Sequence, residues 1–222
     1  MPSCRSFPIP LSRPSLQLAA FLTKPPCHRT FLNSAFAPPP QRVHESRTLP
    51  YPPNDIYNIV ADVSRYSKFV PYCKSSVVTR LSAPDAISGK QWPSEATLVV
   101  GWGAVEESFT SRVYCAPGSV VEAVAGMSQS RLKPEEIAHH LKDGHDADET
   151  NGNSIFRLLS TRWTVEALQN RGMDRTLVTL SIEFAFNNPL YTAMSLPVIP
   201  KVASVMIDAF QERVDTLLGD SS

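Results

Sequence analysis

Apolar positions recur along this chain at two periods, and the change from one to the other marks out its elements. From Val202 they fall at Val202, Val205, Met206, Ala209, Phe210, Val214, Leu217 and Leu218, the i, i+3, i+4, i+7 spacing of one helical face. Lys201, Asp208, Glu212 and Asp215 take the opposite face. Pro200 suits a first turn, where its missing N–H costs nothing, and Gly219 stands where a C-terminal cap belongs. The spacing predicts one long amphipathic helix over 201–218, whose apolar stripe needs a surface to lie against.

Upstream the period is 2. Residues 95–103 place Ala96, Leu98, Val100 and Trp102 on one face, and residues 107–115 place Glu107, Phe109, Ser111, Val113 and Cys115 on one face. Residues 156–167 align Leu159, Thr161, Trp163, Val165 and Ala167; residues 176–186 align Val178, Leu180, Ile182, Phe184 and Phe186. Shorter strands are expected at 44–49, 76–81 and 119–125. Such alternation indicates an antiparallel sheet with one dry and one wet face. Residues 53–63 return to helical spacing through Ile56, Ile59, Val60 and Val63, and Pro71 ends helix formation by Val70. Between 127 and 153 no strand pattern holds. We expect a mostly disordered insertion there, with one short helix starting at Pro134. The order of elements predicts an α+β fold in which a curved antiparallel sheet is covered by the final helix.

Charge separates the ends of the chain. Residues 1–44 contain five basic residues (Arg5, Arg13, Lys24, Arg29 and Arg42) and no acid. The whole chain has 21 basic residues; taking away these five leaves 16 against 21 acids, a formal −5 for the remainder. The Arg-bearing, Ser- and Pro-rich residues 1–42 read as a disordered mitochondrial transit peptide, ahead of a domain over 43–222. An acidic domain is a poor partner for nucleic acid, whose phosphates dominate affinity. No apolar run has the length of a transmembrane helix. Cys73 and Cys115 stand alone, without metal-ligand spacing or a disulfide framework.

Catalytic chemistry is sparse. His28 and His44 lie in or beside the leader and His139, His140 and His145 in the insertion, so none is expected in the core as a general base. Nucleophile-elbow, P-loop and dinucleotide-binding motifs are missing. No metal site and no catalytic residue is assigned. A curved sheet over a helix leaves a cavity where inner side chains do not fill it. Its proposed lining is Val100, Phe109, Val113, Trp163, Val165, Ile182, Phe184, Val202, Met206 and Phe210. Glu107 falls on this apolar face, where a carboxylate must be paired, solvated or neutral. It is the candidate polar anchor for a ligand, set against the plainer reading of a strand-end carboxylate reaching water. Leu190, Met194, Leu196, Val198 and Ile199 form an apolar run broken by prolines, read as a gate or membrane-contacting mouth.

Five segments then carry a resemblance, in order and at suitable distances: YNIVADVSRYSKFVPYCKSS, VGWGAVEESFTSRV, STRWTV, LSIEFAFNNPLY and MIDAFQERVDTLLG. From about Arg47 to Leu218 the chain resembles the coenzyme Q-binding, START-like family of mitochondrial proteins, within the polyketide cyclase/lipid transport superfamily. The resemblance implies a helix-grip fold and ubiquinone, or a related polyprenyl quinone, as bound ligand with no further cofactor. It also implies a lipid chaperone supporting respiratory electron transfer and quinone biosynthesis. The place implied is peripheral, on the matrix side of the mitochondrial inner membrane, with quinone-biosynthetic or respiratory complexes as partners. A scaffold for the quinone-biosynthetic complex is the alternative. A cyclase- or hydrolase-type enzyme fits less well, because fold alone does not set function.

Overall fold

The alternating segments pair into one antiparallel sheet of seven strands: β1 (Gln41–Leu49), β2 (Cys73–Leu81), β3 (Pro93–Trp102), β4 (Val105–Ala116), β5 (Val120–Gly126), β6 (Phe156–Leu168) and β7 (Arg175–Phe186). The spatial order β1-β7-β6-β5-β4-β3-β2 makes β2 to β7 a meander, with β1 returning to pair with β7. The computed structural model describes residues 39–102, 105–142, 155–168, 175–195, 197 and 199–219. The expected leader therefore lies almost wholly outside the described residues. Its expected end at residue 42 needs correction, because β1 begins at Gln41 and Arg42 ion-pairs with Glu183 of β7 at 2.8 Å.

Two helical layers cover the inner face of the sheet. Helix α1 (Pro53–Ala61) carries a proline at its start and buries Ile56, Tyr57, Val60 and Ala61; a 3-10 segment, Val63–Lys68, follows it. Helix α3 (Pro189–Ser195) and helix α4 (Ile199–Leu218) close the chain. Along α4 the buried residues are Ile199, Ala203, Ile207, Phe210 and Val214, whereas Val205 and Leu217 are exposed. The helix is turned by about one position from the expected stripe. Val202 and Met206 thus sit half-buried on its flank, packed against the core.

The insertion is the main correction. Its described part, 127–142, is ordered and lies against the outer face of the sheet. Gly126, at φ +62°, turns the chain there; a side chain at this position would come within 2.5 Å of the Arg157 carbonyl oxygen. The fully buried Glu122 then accepts hydrogen bonds from the Ser130 hydroxyl and the Arg131 amide (3.0 Å). Arg112 donates to the Ser128 carbonyl at 3.0 Å. Leu132 and Ile137 pack with Tyr114, Ala116 and Val124 in a second apolar cluster. Helix α2 (Ala138–Leu141) starts four residues later than expected. It buries His139 and His140, contrary to the expectation that no histidine would be in the core. The Cys115 amide donates to His140 Nε2 at 2.9 Å, and His140 Nδ1 lies 3.2 Å from Ser94 Oγ. An amide can only donate, so Nε2 is the acceptor nitrogen of a neutral ring. The imidazole satisfies an amide of β4 that lies beyond the start of β3. Burial lowers the pKa of His139 below the usual histidine value. The rest of the insertion, 143–153, lies outside the described residues.

Candidate functional site

Between the inner face and α4 lies a cavity of about 340 Å³, at the small end of ligand-pocket sizes. Strand alternation builds its roof. Cross-strand neighbours Val100–Glu107, Leu98–Phe109 and Ala96–Ser111 join β3 to β4, and Val113, Ala123 and Thr161 lie in one row across β4, β5 and β6. The floor is Ile199, Val202 and Met206 of α4. At one end Phe210 packs against Trp163, with ring centres 4.9 Å apart, and against Phe69 at 6.3 Å.

Of the expected lining, Val100, Phe109, Val113, Trp163, Ile182, Phe184, Val202 and Met206 do face this cavity. Val165 and Phe210 do not. Both are buried in the core beyond it. Ile199, expected in the gate, is instead buried and lines the floor. Leu190 and Met194 are 62% and 40% exposed on α3. Leu196 and Val198 lie outside the described residues. The expected helical stretch ending by Val70 was given no place in the lining, but the 3-10 segment and its exit bring Tyr66, Val70, Pro71, Tyr72 and Cys73 to the wall. The aromatic residues of that segment, Tyr66, Phe69 and Tyr72, were the available signal. Sequence reasoning also missed Phe156 and Phe186, which stack at 5.1 Å beside Phe109.

Glu107 shares the inner face as expected, but it stands near the start of β4, at the rim, and is not among the cavity-lining residues. Its Oε1 accepts a hydrogen bond from the Tyr191 hydroxyl, and Tyr191 lies over Phe186 at 5.9 Å. The pair ties α3 to the sheet. The hydrogen bond to this carboxylate, aided by burial, raises the Tyr191 pKa above the usual phenol value. Across the rim Tyr72 adopts φ +65°, a left-handed conformation uncommon outside glycine. Its carbonyl accepts the Gly101 amide at 2.9 Å, which fixes the end of β3 to the exit of the 3-10 segment and leaves the Tyr72 side chain 49% exposed. Tyr72, Leu190 and Met194 thus put apolar surface outside. No helix among the described residues is long and apolar enough to cross a membrane. No group of three metal-ligating side chains occurs among them either.

Comparison with known proteins bears on this geometry. Residues 49–211 match the polyketide cyclase / dehydrase and lipid transport family. The chain is 30% identical over 168 residues to the mitochondrial coenzyme Q-binding protein coq10 of Schizosaccharomyces pombe, covering 76% of this chain and 83% of that one. It is 31% identical over 210 residues to the mitochondrial coenzyme Q-binding protein COQ10 of Eremothecium gossypii, covering 92% and 89%. Among solved structures, the Zhui aromatase/cyclase from Streptomyces sp. R1128 superposes with a TM-score of 0.54 at 16% identity, over 81% of this chain and 96% of that one. That likeness concerns the fold, a curved sheet gripping a C-terminal helix. With sheet, helix and enclosed cavity in place, the chain belongs to the coenzyme Q-binding, START-like family, within the polyketide cyclase / dehydrase and lipid transport family.

Proposed function

We propose that this protein binds ubiquinone, or a related polyprenyl benzoquinone, in the cavity between sheet and α4. It acts there as a lipid chaperone and carrier supporting respiratory electron transfer and quinone biosynthesis. Its place is peripheral, on the matrix side of the mitochondrial inner membrane, with the basic residues ahead of β1 directing import. The observation that carries the reading is the apolar cavity itself, in a chain at least 30% identical to two proteins named for coenzyme Q binding. About 340 Å³ accommodates a substituted ring and the first part of a prenyl tail. A longer tail leaves at the rim, where Tyr72, Leu190 and Met194 present apolar surface toward a membrane.

The lining supports binding rather than catalysis. It is hydrocarbon with a few hydroxyl, phenol, thiol and indole groups. Burial raises the pKa of Tyr66 and Cys73, so they stay protonated at neutral pH and supply no base. The test is a native extract of the purified full chain, analysed by mass spectrometry. Co-purified polyprenyl quinone is the expected result. A chain that carries no quinone yet captures quinone-biosynthetic enzymes would replace the carrier with a scaffold.

A further inference from the structure

Two hydroxyls interrupt the hydrocarbon of the roof. Ser111 stands on β4 between Phe109 and Val113, opposite Ala96. Thr161 stands on β6 between Leu159 and Trp163, opposite Ala123 and Ile182. Both line the cavity. Ser111 is only 2% exposed, and neither hydroxyl has a hydrogen-bond partner among the described residues, although both oxygens are reachable from the cavity. Two other hydroxyls of the lining are engaged: that of Tyr66 donates to the Val60 carbonyl at 2.6 Å and that of Ser195 to the Thr192 carbonyl at 2.9 Å. Trp163 Nε1 also lacks a partner but is fully shielded by its neighbours. A hydroxyl taken out of water without a new hydrogen bond destabilises the fold. Two of them on one apolar wall, both turned to the same space, point to a partner that enters that space.

We infer that Ser111 and Thr161 are the polar anchors for the ring of the ligand, and that they hold it equally in its dicarbonyl and its dihydroxy form. The inference rests on the quinone reading above. A quinone oxygen only accepts hydrogen bonds, whereas a quinol hydroxyl can donate one. A serine or threonine hydroxyl does both, by rotation about its C–O bond. An arginine or lysine in the same place would favour the carbonyl form, and a carboxylate the hydroxyl form. The protonated phenol and thiol of Tyr66 and Cys73 add no charge. The cavity is therefore matched to the shape and oxygen positions of the ring rather than to its oxidation state, and the protein carries both members of the couple without exchanging electrons with them.

The probe is a benzoquinone with a two-unit prenyl tail, and the same compound reduced to its quinol under anaerobic conditions. Binding is followed by quenching of tryptophan fluorescence in the full chain. Wild-type affinities for the two forms should agree within about threefold. Ser111→Ala and Thr161→Val, which keep shape and lose the hydroxyl, should each weaken both forms roughly threefold to tenfold. Thr161→Ser should restore near wild-type binding. Circular dichroism and thermal unfolding check the fold; if the β-branched variant does not fold, Ser111→Ala alone decides. A wild-type preference beyond tenfold for one form overturns the redox indifference. Unchanged affinity in folded Ser111→Ala and Thr161→Val overturns the anchors while the quinone reading stands. A wild-type protein that binds neither form overturns that reading, and this one with it.

Discussion

Ala123 offers a test in which stability and binding should move in opposite directions. It lies in the middle of the roof, with Val113 on one side and Thr161 on the other. Its side chain is only partly covered although it points inward, because the space beneath is open. Ala123→Leu adds three carbons to that space. Filling roughly 80 Å³ at about 24 cal/mol per Å³ sets a ceiling near 2 kcal/mol of added stability. Imperfect fit takes back part of this, because packing strain costs about 1–3 kcal/mol. A net gain of about 1 kcal/mol corresponds to a rise of roughly 2–4 °C in Tm for a domain of this size. The same carbons take about a quarter of a cavity of 340 Å³, so affinity for a prenyl benzoquinone should fall at least about tenfold, equivalent to ~1.4 kcal/mol. Thermal unfolding of the ligand-free protein and fluorescence titration measure the two effects. A variant that is clearly destabilised and still binds as the wild type would refute the reasoning, for it would mean that Ala123 packs against filled space.

Other consequences can be checked as directly. His140→Ala leaves the Cys115 amide without its acceptor and opens a ring-sized void; urea unfolding should show a loss of about 3 kcal/mol, and the 127–142 segment should become protease-sensitive. Asp85 accepts hydrogen bonds from the Ser88 hydroxyl and amide, the Trp92 indole and the Ile87 amide, which hold its carboxyl well below the usual value despite burial. Its contribution to stability is complete above the ordinary carboxylate pKa and is lost as pH falls through the lowered one, so Asp85→Asn should flatten the acid limb of the stability–pH curve. Tyr191→Phe unlatches α3 from Glu107 and should speed quinone release several-fold at unchanged Tm; an unchanged off-rate would show that α3 does not gate the cavity. Leu190→Asp with Met194→Asp should reduce liposome flotation and spare thermal stability, since both side chains are exposed.

The sheet was readable because its strands alternate cleanly, and α4 because its stripe is long. The rotation of α4 was not, since Val205 and Ile207 are equally apolar and only packing decides which of them is buried. The ordering of 127–142 had a signal that alternation obscured. Val113 to Ala116 and Val120 to Ala125 are apolar on both faces except at Glu122. A strand buried on both sides reads as a run, not an alternation, so something had to cover the outer face. Leu132 and Ile137 were too few to announce themselves as that cover. At the site, the period placed Glu107 on the correct face but could not say how far along β4 the cavity extends. Ser111 and Thr161 were visible as hydroxyls within apolar stripes, yet their lack of partners is a fact of three dimensions.

The sheet does not close on itself, so β2 is left as an edge beside β3. Its pairing is irregular, with register shifts between Cys73 and Ser75, between Val78 and Arg80 and between Arg80 and Leu81, and it exposes Val77 and Leu81. A straight, regular apolar edge would be a template on which a second copy could add a strand. The repeated irregularities twist and interrupt the outer side of β2, and the charged side chains of Lys74 and Arg80 make a second strand harder to register. A protein with a greasy rim at one end thus has a flank poorly suited to strand addition, and regularising β2 between Val78 and Leu81 would make it better suited without touching the cavity wall at Cys73.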